Sequence, residues 1–204
     1  ELDFLLQSDH LTENDYIHLQ RATDALGRLS HLNRSLLLLT QVENDQFTND
    51  ELINLSELAS QYTNEYTPFF EHKNMAVSRK ITPDVSLKMN RQLAVVFLTN
   101  LLKNAARHGG ARHVHAQPGE ADSYIDIELT THALVIQNTG EPLPFADNQL
   151  FNRFVKNPAR PDSTGLGLAL VKQICDRYHL PIAYQYDTDR GTHEFKIGLF
   201  QQGA

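Results

Sequence analysis

The sequence predicts an α+β domain carried behind a helical hairpin, and three observations lead there. Apolar residues recur at steps of three and four from Leu19 to Val42, the period of one helix face. Residues 123–130 with 133–138, and 182–187 with 192–200, alternate apolar and polar side chains around short turns, the period of strands. Helical patterns over about 91–108 and 166–178 lie between these strand-like stretches.

Taken in order, residues 1–8 read as the end of a helix that Ser8-Asp9-His10 breaks. Thr12, with Asp15 three positions on, has the form of a capping box, so a second helix starts there and runs to about Asn44. Its stripe is Leu19, Ala22, Leu26, Leu29, Leu32, Leu36, Leu39 and Val42, and it widens at Leu36-Leu37-Leu38-Leu39. A helix apolar on several sides must be surrounded. A short hairpin cannot bury that much alone, so a homodimer through the hairpin is expected. The alternative is that the following domain covers the stripe in a monomer.

Residues 45–53 are polar and acidic and read as a joint, dividing the chain into 1–46 and 54–204. Asn54 with Glu57 repeats the cap signature, and Leu55, Leu58, Ala59, Tyr62, Tyr66 and Phe69 continue a helical face. Pro68 is expected to kink or shorten that helix. Residues 76–81 and 85–90 read as strands on either side of Thr82-Pro83-Asp84. Thr131-His132 and Asp189-Arg190-Gly191 supply later turns, and residues 139–163 are loop-rich.

Composition narrows the function. The 204 residues allow one full domain plus a smaller element. A net charge of −7 argues against nucleic acid or a membrane surface as partner, since both attract basic faces. No apolar run is long enough to span a bilayer and there is no signal peptide. The chain opens on Glu1 inside a helical pattern, so it is expected to be a segment of a longer protein whose membrane topology stays open. Cys175 is the single cysteine: no internal disulfide and no cysteine-based zinc site can form, and a packing role in a reducing setting is expected. Neither Gly-x-Gly-x-x-Gly after a strand nor a Gly-Lys-Ser turn is present, against dinucleotide and P-loop folds.

Three constellations carry chemistry. In Asn100-Leu101-Leu102-Lys103-Asn104-Ala105-Ala106-Arg107-His108, Asn100, Asn104, Arg107 and His108 share one helix face. An Asn carbonyl is a hard ligand for Mg²⁺, and Arg binds phosphate oxygens; alternatively this is only the polar side of an amphipathic helix. Ser163-Thr164-Gly165-Leu166-Gly167-Leu168 stands before a helix, where glycines admit a ligand to free N–H groups, or simply make a turn. Leu134-Val135-Ile136-Gln137-Asn138-Thr139-Gly140 ends a strand with an acceptor that an adenine amino group could use, or with an ordinary turn. His108, His113 and His115 raise a metal cluster, but the glycines around them favour a solvated loop.

In order, spacing and type these three segments resemble the N, G1 and G2 boxes of bacterial two-component sensor histidine kinases, within the wider Hsp90, gyrase and MutL ATPase superfamily. Leu150-Phe151-Asn152-Arg153-Phe154-Val155-Lys156 is similar to their F box, and residues 29–44 to their second dimerisation helix. The resemblance covers about residues 54–204, and the upstream hairpin adds to it. It implies a two-layer α/β sandwich, a mixed sheet with helices on one face, and ATP held between a helix and a lid over about 145–163. It implies Asn104 as Mg²⁺ ligand, Asn100 and His108 beside the phosphates, and Lys103, Arg107, Arg153 and Lys156 as cations around them. Asn138 would meet adenine, and Gly140, Phe151, Phe154, Thr164, Gly165, Leu166, Gly167 and Leu168 would shape the pocket.

The implied reaction is transfer of the γ-phosphoryl of Mg-ATP to a histidine and then to an aspartate of a response-regulator receiver domain. This chain departs from the pattern at Asn138, where the family usually has Asp, and at Pro142 and Ser163, where it usually has Gly. The family's phosphoacceptor string is also missing. His31 lacks the acid and proline that follow it, and lies in the second helix. The acceptor is therefore expected upstream of Glu1, in the cytoplasmic region of a membrane-anchored sensor, and this segment is expected to bind ATP without phosphorylating itself. The rivals are a non-catalytic dimerisation and nucleotide-binding module, and an ATPase of the Hsp90–gyrase–MutL branch. The latter carry a further domain after the nucleotide site.

Overall fold

The structure, a computed structural model, describes residues 12–110, 123–158 and 163–199. The expected helix over 1–8, its Ser8-Asp9-His10 break, His113, His115 and Phe200 lie outside them. Helix α1 (Glu13–Glu43) begins at the expected capping box: the Asp15 N–H donates to Thr12 Oγ1 at 3.2 Å, and the Thr12 N–H to the Asp15 carboxylate at 3.1 Å. Leu39 and Val42 are buried, and Leu32, Leu36 and Leu38 pack beside them. Leu26, Leu29 and Leu37 stay 55%, 59% and 59% exposed. The domain therefore covers only the C-terminal end of the stripe.

The joint is more structured than its polarity suggested. Glu51–Asn54 forms β1, antiparallel to β3 (Ser86–Met89), and Ile53, Leu87 and Met89 are buried. The two strands expected on either side of Thr82-Pro83-Asp84 enter different sheets. β2 (Ala76–Ile81) joins a different sheet. Between β1 and β2, helix α2 (Leu55–His72) is capped by Asn54, whose Oδ1 accepts from the Glu57 N–H at 3.1 Å. Pro68 does not shorten it. The carbonyl that loses its donor belongs to Asn64, which like Pro68 is on the exposed side, while Phe70 anchors the last turn in the core.

The main sheet runs β2-β4-β5-β7-β6, with β4 (Tyr124–Leu129), β5 (Ala133–Thr139), β6 (Ile182–Asp187) and β7 (Thr192–Gly198). β2 lies parallel to β4 and the other pairs are antiparallel. Alternation gives the sheet one apolar face, Ile125, Ile127, Leu129, Leu134, Ile136, Phe195 and Ile197, all buried. The other face carries Glu128, Gln137, Glu194 and Lys196. Helices α2, α3 (Arg91–His108) and α4 (Gly167–Arg177) complete the sandwich on the apolar side. They contribute Leu55, Leu58, Phe97, Leu101, Leu102, Val171 and Ile174 to one core. Each such side chain stabilises by roughly 1.5–3 kcal/mol on burial.

Asn90 fixes where α3 begins. Its Oδ1 accepts from the Gln92 and Leu93 N–H groups at 3.0 and 3.3 Å. Its own N–H donates to Tyr178 Oη at 2.9 Å, and Tyr178 donates to Asp50 at 2.8 Å. The register of α3 is thereby tied to α4 and to the joint.

Candidate functional site

The C-terminal half of α3 presents Asn100, Lys103, Asn104, Arg107 and His108 to one open cavity. Ser163, Thr164, Gly165, Gly167 and Leu168, at the start of α4, line the same cavity. The two segments meet closely. The Asn100 amide donates to Val96 O at 2.8 Å, and a Cβ on Gly167 would stand 2.8 Å from Asn100 Oδ1. A larger residue at 167 would push the Asn100 amide out of this position. The cap of α4 is Leu166, whose side chain has no polar atom and caps none of the first N–H groups of the helix, which suits that end to an anionic ligand.

Gly165 is held at φ +69°, a conformation that costs other residues strain. A Cβ there would lie 2.7 Å from the Phe154 carbonyl carbon, and the Phe154 N–H donates to Gly165 O at 2.9 Å. The F-box-like segment is thus fastened to the glycine turn through backbone.

Six expected site residues take other places. Phe154 contributes this backbone bond while its ring stays 56% exposed. Phe151 packs against the core, and Leu166 is fully buried in it. Arg153 forms an ion pair with Glu43 of α1. Asn138 and Gly140 are buried at the end of β5; the Asn138 amide donates to Thr139 O at 3.0 Å, and the Gly140 N–H to Gly191 O at 2.9 Å. None of the six lines the cavity: each is engaged in packing or in an intramolecular bond, Asn138 through its amide nitrogen alone. Lys156 does line it. Of the expected lid, residues 159–162 lie outside the described residues, and Asp147–Gln149 is a short 3₁₀ turn.

Sequence reasoning missed the opposite wall, formed by Tyr184 of β6 and His193 and Phe195 of β7. His193 is 5% exposed. Its Nε2 lies 2.9 Å from Glu141 O, and a carbonyl only accepts, so this nitrogen carries the proton. In the neutral ring Nδ1 is then an acceptor, and Tyr184 donates to it at 2.7 Å. The imidazole also packs against Gly140. Burial lowers the pKa of His193 and raises that of Tyr184. The available signal was inward alternation along β7, which puts His193 in line with Phe195 and Ile197. His31 of α1 was also missed as a lining residue. Partial burial, then the charges of Lys103, Arg107 and Arg34, lower its pKa. Burial pushes the Cys175 thiol up to about 12, which leaves it a packing group.

The residues fit a nucleotide and a divalent ion. Among the described residues, none donates to the buried Asn138 Oδ1, and an exocyclic amino group that reached it would supply a donor. Among the described residues, no group of three or more His, Cys, Asp or Glu side chains comes together. An ion here would draw its remaining ligands from phosphates and water, the usual habit of Mg²⁺.

A sandwich with this cavity is the architecture of a nucleotide-binding ATPase domain. Residues 90–202 match the family of histidine kinase-, DNA gyrase B- and HSP90-like ATPases. The chain belongs to that family. The heme sensor protein HssS of Staphylococcus aureus strain Newman is 30% identical over 162 residues, 77% of this chain and 33% of that protein. The chain thus spans about a third of the length of the curated relatives it matches. Among solved structures, the histidine kinase AdeS of Acinetobacter baumannii shares the fold with TM-score 0.65 and 22% identity, over 98% of this chain and 90% of that one. Full-length ShkA in complex with AMPPNP gives 0.69 and 17%, over 98% and 42%.

Proposed function

We propose that this chain binds Mg-ATP in the α3–α4 cavity for transfer of the γ-phosphoryl to a histidine upstream of Glu1, and from there to a response-regulator aspartate. The observation that carries the reading is the approach of Gly167 to Asn100, which puts an amide-bearing helix and a helix N-terminus on one ligand-sized space. Asn104 supplies an oxygen to Mg²⁺. Asn100, Lys103, Arg107, His108 and Lys156 surround the phosphates, and Thr164, Gly165, Gly167 and Leu168 close the phosphate turn. Asn138, buried behind the cavity wall, is assigned to adenine through its Oδ1, which the wall must part to expose. Bound Mg²⁺ neutralises phosphate charge and orients the γ-phosphoryl, and the basic groups add to that stabilisation. A neutral imidazole is already a nucleophile, so no strong base is required. The nucleotide analogue bound to ShkA supports a nucleotide in this fold.

We assign residues 1–46 to a dimerisation hairpin and 54–204 to the catalytic domain. The exposed Leu26, Leu29 and Leu37 support pairing of two chains through α1. No described helix is long and apolar enough to cross a membrane; we place the segment in the cytoplasmic region of a membrane-anchored sensor. Titration with ATP, with and without Mg²⁺, tests the site: saturable, Mg²⁺-enhanced binding is expected. Incubation with γ-labelled ATP should leave the chain unlabelled, and label that survives His31→Ala would contradict an upstream acceptor.

A further inference from the structure

We propose that His31 is a phosphate-contacting residue, lent by helix α1 to the phosphate end of the cavity, so that the nucleotide site is complete only while α1 is docked. The proposal rests on the nucleotide reading above and deepens it. His31 lines the cavity together with Asn100, Lys103, Asn104 and Arg107. It belongs to another element than they do, and it is the residue through which α1 enters the site.

The electrostatics of this end suit a polyanion. Lys103, Arg107 and His108 on α3, Arg34 on α1 itself, and Lys156 elsewhere on the wall bring positive charge or N–H donors. Among the described residues, Glu141 is the one carboxylate residue in the lining, and it belongs to the segment after β5 that His193 holds. A partly exposed imidazole among cations has little to gain from its protein neighbours. It has a ring N–H to give to a phosphate oxygen in either protonation state.

Geometry makes the contact conditional. The other end of α1 is fastened to the domain by three devices: Glu43 pairs with Arg153, Arg177 bonds Asp45 and Phe47 O, and Leu39 and Val42 are buried. His31 is twelve residues upstream of Glu43, roughly 18 Å along a helix. Along that length Leu32, Leu36 and Leu38 pack on the core only partly buried, so a change of helix angle that lifts them carries the imidazole several ångströms from the phosphates. Docking of the dimerisation helix and retention of the triphosphate are then coupled, which is a concrete route for a signal carried by α1 to reach the nucleotide.

The test is a set of dissociation constants for Mg-ATP and adenosine, measured on this chain. His31→Ala should weaken Mg-ATP about fivefold, the worth of one ordinary hydrogen bond, and leave adenosine unchanged. His31→Arg should restore Mg-ATP binding, and His31→Glu should weaken it further than Ala. Reversing the fastening charges, Glu43→Arg with Asp45→Arg, should reproduce the His31→Ala loss and add nothing when combined with it. Equal Mg-ATP binding by wild type and His31→Ala would overturn the inference alone, as would an equal loss for adenosine, which marks a merely structural effect. Failure of the wild type to bind either ligand would overturn the nucleotide reading and the inference together.

Discussion

The two walls of the cavity are built on opposite principles. The helix wall offers Asn100 and Asn104 half-exposed and Lys103 and Arg107 exposed. The sheet wall offers Phe195 and His193 buried, with His193 bonded at both ring nitrogens, to Tyr184 and to Glu141 O. Polar groups that stay in water cost the fold almost nothing to hold ready. Polar groups that are buried must be satisfied in place, or the fold loses the full desolvation cost. Groups on the first wall should therefore govern binding with little effect on stability, and groups on the second should govern both.

The largest effect expected from this difference is on the helix wall. Asn104→Ala should abolish most of the Mg²⁺-dependent gain in ATP affinity, on the order of 100-fold, while the melting temperature stays within about 2 °C of wild type. Calorimetric titration and a thermal melt on the same protein check it. A large fall in melting temperature would mean that the amide supports the helix, and the contrast between the walls would be lost.

Tyr184→Phe reverses the pattern. It leaves His193 Nδ1 buried without its donor, a cost of about 1–3 kcal/mol, and in a chain of this size that lowers the melting temperature by several degrees. Because Tyr184 positions His193 rather than phosphate, the loss in ATP affinity should be under about tenfold and the same with or without Mg²⁺. The same pair gives a pH dependence. Burial holds the folded-state pKa of His193 below its ordinary 6.5, so as pH falls the unfolded chain takes up the proton first. The contribution is fully present above about 6.5 and is lost as pH drops from there toward the folded value. Chemical denaturation from pH 7.5 to 5 should show this loss in wild type and a flatter profile in His193→Gln; identical profiles would remove His193 from the account.

The contrast also explains what was legible beforehand. Residues 91–108 and 166–178 read correctly as helices because the period of their apolar residues is local. The helix wall followed because its amides and glycines lie at fixed spacings within two short segments. β1 was invisible: four residues in an acidic stretch, with Leu52 75% exposed, acquire strand character only from β3, more than thirty residues later in the chain. The sheet wall was invisible for a related reason. Tyr184 and Phe195 stand opposite each other across β6 and β7, and whether they face a cavity or plain core depends on strand order, which no local pattern contains. His31 reaches the cavity only through the way α1 docks.

Arg153 marks the boundary between the two kinds of knowledge, and it carries the smallest effect. The F-box resemblance implies a phosphate contact, whereas the structure pairs it with Glu43, with 43% and 34% of the two side chains exposed. An ion pair that exposed contributes about 0–1 kcal/mol, and less in salt. Arg153→Ala should therefore change ATP affinity by less than about twofold. Arg177 with Asp45 and the buried Leu39 and Val42 still hold α1 in place, so His31 is not displaced. If Arg153 touched phosphate directly, its loss would remove a charge-assisted bond of about 1.5–3 kcal/mol, more than tenfold in affinity, with a weaker dependence on salt in the mutant than in wild type. The two outcomes are far enough apart for a single titration in low and high salt to separate a helix fastener from a phosphate ligand.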